Sequence, residues 1–265
     1  MNTLLTPTVF RAGEPVNSEQ EAFIARVNIA AELERLASQQ SGARCVLLYG
    51  RRRIGKSVVL RNLRVILPET IRVATISMEE AQAFASLEGL LKVLSQAIAT
   101  RVPLPDNHDP LPQTLVAFEQ FLAAANSRLT NDGRKLIVAI DEYEYLDAKL
   151  AEGVLPVELL ATLRNSIQTH VQLLWMFAGS HDITELSRTE WTSYLVSAHM
   201  IEVPPFTLAE TRLLLTDPLK HSTLWRSQPD QRPRFDPAFW GPSGIERIHE
   251  ETAGWPNFVQ LVAHL

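Results

Sequence analysis

Several features are scarce or missing in this chain, and each absence excludes something. It has 265 residues and a single cysteine, Cys45, so no disulfide can close within it. Cys45 lies in an apolar run, which makes it a buried, inert thiol rather than a nucleophile. No apolar run approaches the ~20 residues needed to span a bilayer. The N-terminus, MNTLLTPTVFRAGEP, lacks the basic start and long apolar stretch of a secretory signal. A cytoplasmic location without membrane attachment is therefore expected. A positive charge excess is also missing. The net charge of −5 gives no global pull towards nucleic acid or anionic membrane, although a local basic patch remains allowed. The seven histidines show neither HExxH nor Cys/His spacing, so none reads as a metal ligand. No internal repeat and no low-complexity segment is present.

What is there reads as an ordinary globular protein, 46% hydrophobic and 21% charged, long enough to bury a core without staples. Residues 1–17 look irregular. Ser18 and Glu21 fit a capping box opening a helix to about Gln39. Residues 44–49 (RCVLLY) read as a buried parallel strand ending at Gly50. A helix follows over 56–63, then a strand over 71–77. Helical spacing recurs in Leu87, Leu90, Leu91, Leu94 and Ile98, and again in Leu115, Phe118, Leu122, Ala125 and Leu129. Between these helices, four prolines over 102–113 dictate a loop. Further strands are expected at 136–140, 171–178 and 200–203, with a helix over 159–170. Thr207 and Glu210 form a capping box for a helix to Leu215. Five prolines over 217–244 mark a long connection, and 244–253 and 256–265 read as helices.

Strands alternate with helices through residue 203, the pattern of a parallel sheet covered on both faces. Two parts follow: a nucleotide-binding domain over 1–216, with 1–17 as leader, and a proline-rich connection with a partial helical lid over 217–265. The last helix runs into the terminus without a closing element, which fits either a fragment or a minimal lid.

The chemistry concentrates in Gly50-Arg51-Arg52-Arg53-Ile54-Gly55-Lys56-Ser57, a full G-x-x-x-x-G-K-[ST] phosphate loop. Its glycines permit backbone angles a side chain would forbid, so successive N–H groups can face phosphate oxygens. Lys56 is expected on the β- and γ-phosphates and Ser57 on Mg²⁺, with the following helix adding its positive end. The motif sits between a strand and a helix, the context that confirms it. ATP or GTP would bind here, and the lack of an N-K-x-D motif favours ATP. Among Arg51, Arg52 and Arg53, one is expected on phosphate or a neighbouring domain and two in solvent.

Residues 136–140 (LIVAI) followed by Asp141-Glu142 form the matching acidic motif. Asp141 would share the Mg²⁺ with Ser57, and Glu142 would orient and deprotonate the attacking water. An acid beside the metal carboxylate suits a hydrolase rather than a small-molecule kinase. Ser180, after the fourth strand, would either face the γ-phosphate or cap the next helix. Tyr143 and Glu144 carry no assigned chemistry.

Together the phosphate loop, Asp141-Glu142 and Gly179-Ser180 resemble the additional-strand P-loop ATPases, and within them the STAND and AAA-like group. Phe23-Ile24-Ala25-Arg26 is similar to an upstream F-x-G-R motif, with Ala25 in place of glycine. Phe10-Arg11-Ala12-Gly13-Glu14-Pro15-Val16 is similar to the leader that precedes it in bacterial relatives. Gly254-Trp255-Pro256 resembles a G-x-P motif that opens a lid helix. The resemblance implies a P-loop NTPase three-layer sandwich with strand order 5-1-4-3-2 and a small C-terminal helical lid. It also implies that Phe10, Arg26 and Pro256 lie near the base or ribose. The activity implied is slow ATP hydrolysis by a nucleotide-controlled signalling switch, oligomerising on nucleotide and acting on a protein partner or further domains outside this chain. The alternative is an origin-recognition-like or other nucleic-acid-associated ATPase. No aromatic-interleaved basic strip marks a single-strand groove, and the chain is too short for a two-domain helicase. An arginine finger is not evident, Arg188 being the one candidate.

Overall fold

The structure is a computed structural model that describes residues 9–10, 22–39, 44–78, 85–104, 111–181, 191–195 and 198–264. The chain forms two compact units: residues 28–50 with 67–202, and residues 1–27 with 51–66 and 203–265.

The first unit is built on a five-stranded, wholly parallel sheet. Its strands are β1 (Cys45–Tyr49), β2 (Ile71–Ser77), β3 (Lys135–Asp141), β4 (Leu173–Gly179) and β5 (His199–Glu202), in the order β2-β3-β4-β1-β5. This is the expected order and the fold of P-loop NTPases. Strands buried on both faces read as unbroken apolar runs, as in the LLWMFAG of β4, all of it buried. Helix α1 (Val27–Ser38) precedes β1, and crossover helices join the strands: α2 (Lys56–Ile66), α3 (Leu87–Arg101), α4 (Leu115–Asp132), α5 (Glu144–Ala151), α6 (Glu158–Thr169) and α7 (Trp191–Tyr194). Of these, α2 belongs to the second unit. Helix α3 packs on β2, α4 on β3 and α6 on β4. Their inward faces join the sheet in a core that includes Leu94, Ile98, Phe118, Leu122, Trp175 and Phe177. Thr114 caps α4 through Ala117 N–H, and Gly133, at φ 62°, closes it.

The second unit carries α2 and the helices α8 (Leu208–Thr216), α9 (Gly244–Thr252) and α10 (Pro256–His264). The capping box on Thr207 and Glu210 is complete, with both reciprocal bonds formed. Residues 217–243 hold three short 3₁₀ turns, the proline-rich connection expected. Phe10, Ala22, Ile24, Leu214, Leu215, Ile245 and Val259 form this unit's core.

Two sequence expectations need correction. Residues 22–26 are not helical; the helix begins at Val27. Distant partners take that backbone instead: Ala22 N–H bonds Val9 O, and Ala25 N–H bonds His221 Nδ1 at 3.3 Å. The Ser18–Glu21 box lies outside the described residues. Helix α5, directly after Glu142-Tyr143, was not expected at all. Among the described residues no helix is long and apolar enough to cross a membrane.

The two faces of α4 make a direct test of this core. Phe118 is fully buried and Val116 is 67% exposed. Phe118→Ala should cost about 3–5 kcal/mol in urea unfolding, and Val116→Ala less than about 0.5 kcal/mol.

Candidate functional site

The C-terminal edge of the sheet gathers one set of candidate residues. Register alignment puts Leu48 and Asp141 both opposite Ala178, and Tyr49 opposite Gly179. The chain therefore leaves β3 at Asp141 and β4 at Gly179 within one residue of each other, and β1 at Gly50 one residue further on. Ligands of open parallel sheets bind outside these carboxyl ends.

Asp141 is buried at the end of β3, and its Oδ1 accepts the Glu142 N–H at 3.1 Å. Glu142 adopts φ 55°, a left-handed conformation that costs a non-glycine residue roughly 1–2 kcal/mol. Such strain persists only where the surroundings hold it. Here the next residue provides the hold. Tyr143 N–H donates to Ala178 O at 3.1 Å, continuing the pairing of β3 with β4 past the sheet. Its hydroxyl donates to His181 O at 3.1 Å, and its ring packs edge-on against Phe177 and Trp191. Trp191 in turn donates its indole N–H to buried Asp147 of α5 at 2.8 Å.

Ser180 caps no helix among the described residues. Its hydroxyl donates to Glu144 Oε1 at 3.0 Å, and its backbone N–H donates to the same oxygen. His181 N–H adds a third bond to Oε1 at 3.1 Å. Glu144 is thus a residue of this edge that sequence reasoning missed. The only local signal was an acid two residues past Glu142; its partners lie 36 and 37 residues away.

The other unit carries the phosphate loop from Arg51 on. Arg51 O accepts from Ile54 N–H at 3.2 Å and from Lys56 Nζ at 3.3 Å, so the loop curls around its own lysine. Lys56 is buried at the first position of α2, and Ser57 beside it is half-buried. Gly55, at φ 103°, holds an angle that side chains rarely adopt. Arg51, Arg52 and Arg53 are exposed, with Arg53 at φ 66°. Ile54 is buried beneath them.

In the same unit, Arg26 is buried with its guanidinium on Pro204 O at 2.7 Å and Glu210 Oε1 at 3.2 Å, stacked 4.5 Å over Phe206. Burial pushes its pKa below the usual arginine value, and Glu210 opposes that shift. Phe10 lies in the core, its ring 5.6 Å from Phe235. Pro256 opens α10 at N1, where a missing N–H costs nothing. Gln260 of α10 donates to Ala22 O at 2.9 Å, tying that helix to the irregular segment before α1. Residues 11–16, Asp182 and Arg188 lie outside the described residues. Among the described residues no cluster of three metal-ligating side chains occurs. Burial holds the Cys45 thiol well above its ordinary pKa, as an inert thiol requires.

The model of the AAA domain family matches residues 38–186. Solved structures share the fold. A Walker-type ATPase of Pyrococcus abyssi superposes with a TM-score of 0.63 at 20% identity, over 93% of this chain and 68% of that one. Cdc6p of Pyrobaculum aerophilum gives 0.55 at 16% identity, over 94% of this chain and 62% of its own. The ORC2 protein of Aeropyrum pernix, in ADPNP and ADP complexes, gives 0.58 at 18% identity, over 89% and 59%. The chain thus spans roughly three fifths to two thirds of these relatives. No curated protein matches it.

The Arg26 cluster makes a prediction independent of any ligand. Arg26→Ala leaves Glu210 and the Pro204 carbonyl without their buried donor. It should lower stability by about 1–3 kcal/mol, read as a fall in thermal midpoint, and Arg26→Lys should recover only part of it.

Proposed function

This chain belongs to the AAA domain family, and on that footing we propose that it is a Mg-dependent ATP-binding and hydrolysing module of the origin-recognition-like kind, acting with nucleic acid. The observation that carries the ATPase reading is that Gly50, Asp141 and Gly179 end adjacent parallel strands within two residues of one another at the carboxyl edge of the sheet, with the phosphate loop leaving from the first of them. The fold shared with Cdc6p and with ORC2, itself solved with adenine nucleotides, favours the origin-recognition-like reading and adenine.

In this reading the loop N–H groups of residues 50–57 and the Lys56 ammonium take the β- and γ-phosphates. The donors for a divalent ion fit Mg²⁺. Ser57 offers a hydroxyl and Asp141 a buried carboxylate, hard oxygen ligands that suit an ion arriving with phosphate rather than one caged by protein. When bound, Mg²⁺ supplies neutralisation of the charge that develops on the transferred phosphoryl group. Glu142 takes the proton of the attacking water, whose oxygen bonds phosphorus as the bond to the β-phosphate oxygen breaks, giving ADP and phosphate. Ser180 acts on that water from the adjacent strand end. Arg51, Arg52 and Arg53 give one guanidinium to phosphate or to a neighbouring domain. Phe10, Arg26 and Pro256, the last at the head of α10, lie near the base or ribose. Residues 1–216 form the nucleotide-binding part, and the helices within 217–265 act as a lid.

A second reading keeps the same chemistry in a STAND-type signalling switch, with the lid reporting occupancy to a protein partner. The Gly254-Trp255-Pro256 turn at the start of α10 favours it. The two readings part on stimulation. Nucleic acid should raise the hydrolysis rate in the first and leave it unchanged in the second.

Binding itself is tested by thermal shift. Mg-ATP at 100 times its dissociation constant should stabilise the fold by about 2.7 kcal/mol, and Lys56→Ala should abolish the gain. Glu142→Gln should keep the shift and lose phosphate release. No shift in the wild type, or an equal shift in Lys56→Ala, contradicts the assignment.

A further inference from the structure

Glu144 gathers several hydrogen bonds at the sheet's carboxyl edge, and the proposed hydrolysis leaves it without a task. Its side chain crosses from the first turn of α5 to the end of β4. There Oε1 collects the Ser180 hydroxyl at 3.0 Å, the Ser180 N–H, and the His181 N–H at 3.1 Å. His181 Nδ1 stands 3.4 Å from both Glu144 Oε1 and Ser180 Oγ. The carboxylate also lies flat against Gly179. A Cβ built there would come within 2.4 to 2.6 Å of the Glu144 carboxylate atoms. Glycine at 179 is therefore what lets this carboxylate reach the strand end.

We propose that Glu144 is a positioning residue, holding Ser180 so that its hydroxyl presents lone pairs, and no proton, to the nucleotide site. The inference rests on the ATPase reading above and deepens it. A serine hydroxyl has one proton and two acceptor sites, and a carboxylate only accepts. With its proton on Glu144, Ser180 Oγ can accept a bond from a donor such as the attacking water, and it cannot donate to a phosphate oxygen. Ser180 then orients water for Glu142 instead of gripping the γ-phosphate. Glu144 and Glu142 are two residues apart on one segment, which Tyr143 N–H fixes to Ala178 O. The water-activating acid and the water-orienting hydroxyl are thereby referenced to the same strand end.

Three variants test this: Glu144→Ala, Gly179→Ala and Ser180→Ala. Gly179→Ala meets only the far end of a flexible side chain, so it should expel the carboxylate while the fold survives. Each variant should lower kcat for Mg-ATP roughly 10- to 100-fold while the dissociation constant for ATP changes less than about 3-fold. The Glu144→Ala/Ser180→Ala double variant should be no slower than the worse single variant within about 3-fold, as expected of residues acting as one unit. Weaker ATP binding in step with kcat, or losses that multiply in the double variant, overturns the proposal. Amide hydrogen exchange gives a reading that needs no hydrolysis. The Ser180 and His181 amides should be protected in the wild type and lose protection in Glu144→Ala and Gly179→Ala. Unchanged protection overturns the positioning role. Protection lost as expected in the two variants, alongside a wild type that neither binds nor hydrolyses ATP, upholds the contact and overturns the ATPase reading instead.

Discussion

Parallel pairing of β4 between β1 and β3 is the constraint on which the candidate site depends. Ala178 is the common partner: it faces Leu48 on one side and Asp141 on the other. Because all three strands run the same way, one register brings three exits from the sheet within two residues of one another. Each exit then delivers a different chemistry: a phosphate loop after β1, two acids after β3 and a hydroxyl after β4. A slip of one residue in either pairing would move Asp141 or Gly179 by about 3.3 Å, and would turn the Asp141 side chain to the opposite face if it fell on β3. The fully buried, branched and aromatic side chains of β4 oppose such a slip, since each has a fitted place in the core.

Past the sheet, the chain is held by bonds that regular secondary structure does not supply. Glu142 sits in a left-handed conformation, fixed on one side by the Asp141 carboxylate and on the other by Tyr143. The ring of Tyr143 is anchored among Phe177 and Trp191, so core packing is converted into the aim of an acid. Arg53 of the phosphate loop shares that backbone conformation. The other non-glycine residues in this conformation among the described ones, Ser243 and Ala253, flank the helix α9.

Much of this was legible in the sequence, for physical reasons. Strands buried on both faces must be apolar throughout, so residues 136–140 could be read as a run, and the observed strand matches it. The Thr207–Glu210 capping box is local, and both its bonds formed as the spacing required. Helix α5 was invisible because its eight residues bury only Leu146, Asp147 and Leu150, and no side chain caps its start. The course of residues 22–26 was misread because its partners, Val9 and His221, are remote in sequence. Glu144 was passed over for the same reason. An acid two residues past Glu142 carries no distinguishing signal until β4 is brought against it.

The central claim is that Asp141 and the phosphate loop serve one Mg-nucleotide. Titration calorimetry of ATP with and without Mg²⁺, on the wild type and Asp141→Asn, tests it most directly. The account predicts one site per chain, tightened by Mg²⁺ in the wild type, with Asp141→Asn binding ATP but gaining little from the ion. Equal tightening by Mg²⁺ in Asp141→Asn, or no binding by the wild type, would contradict it.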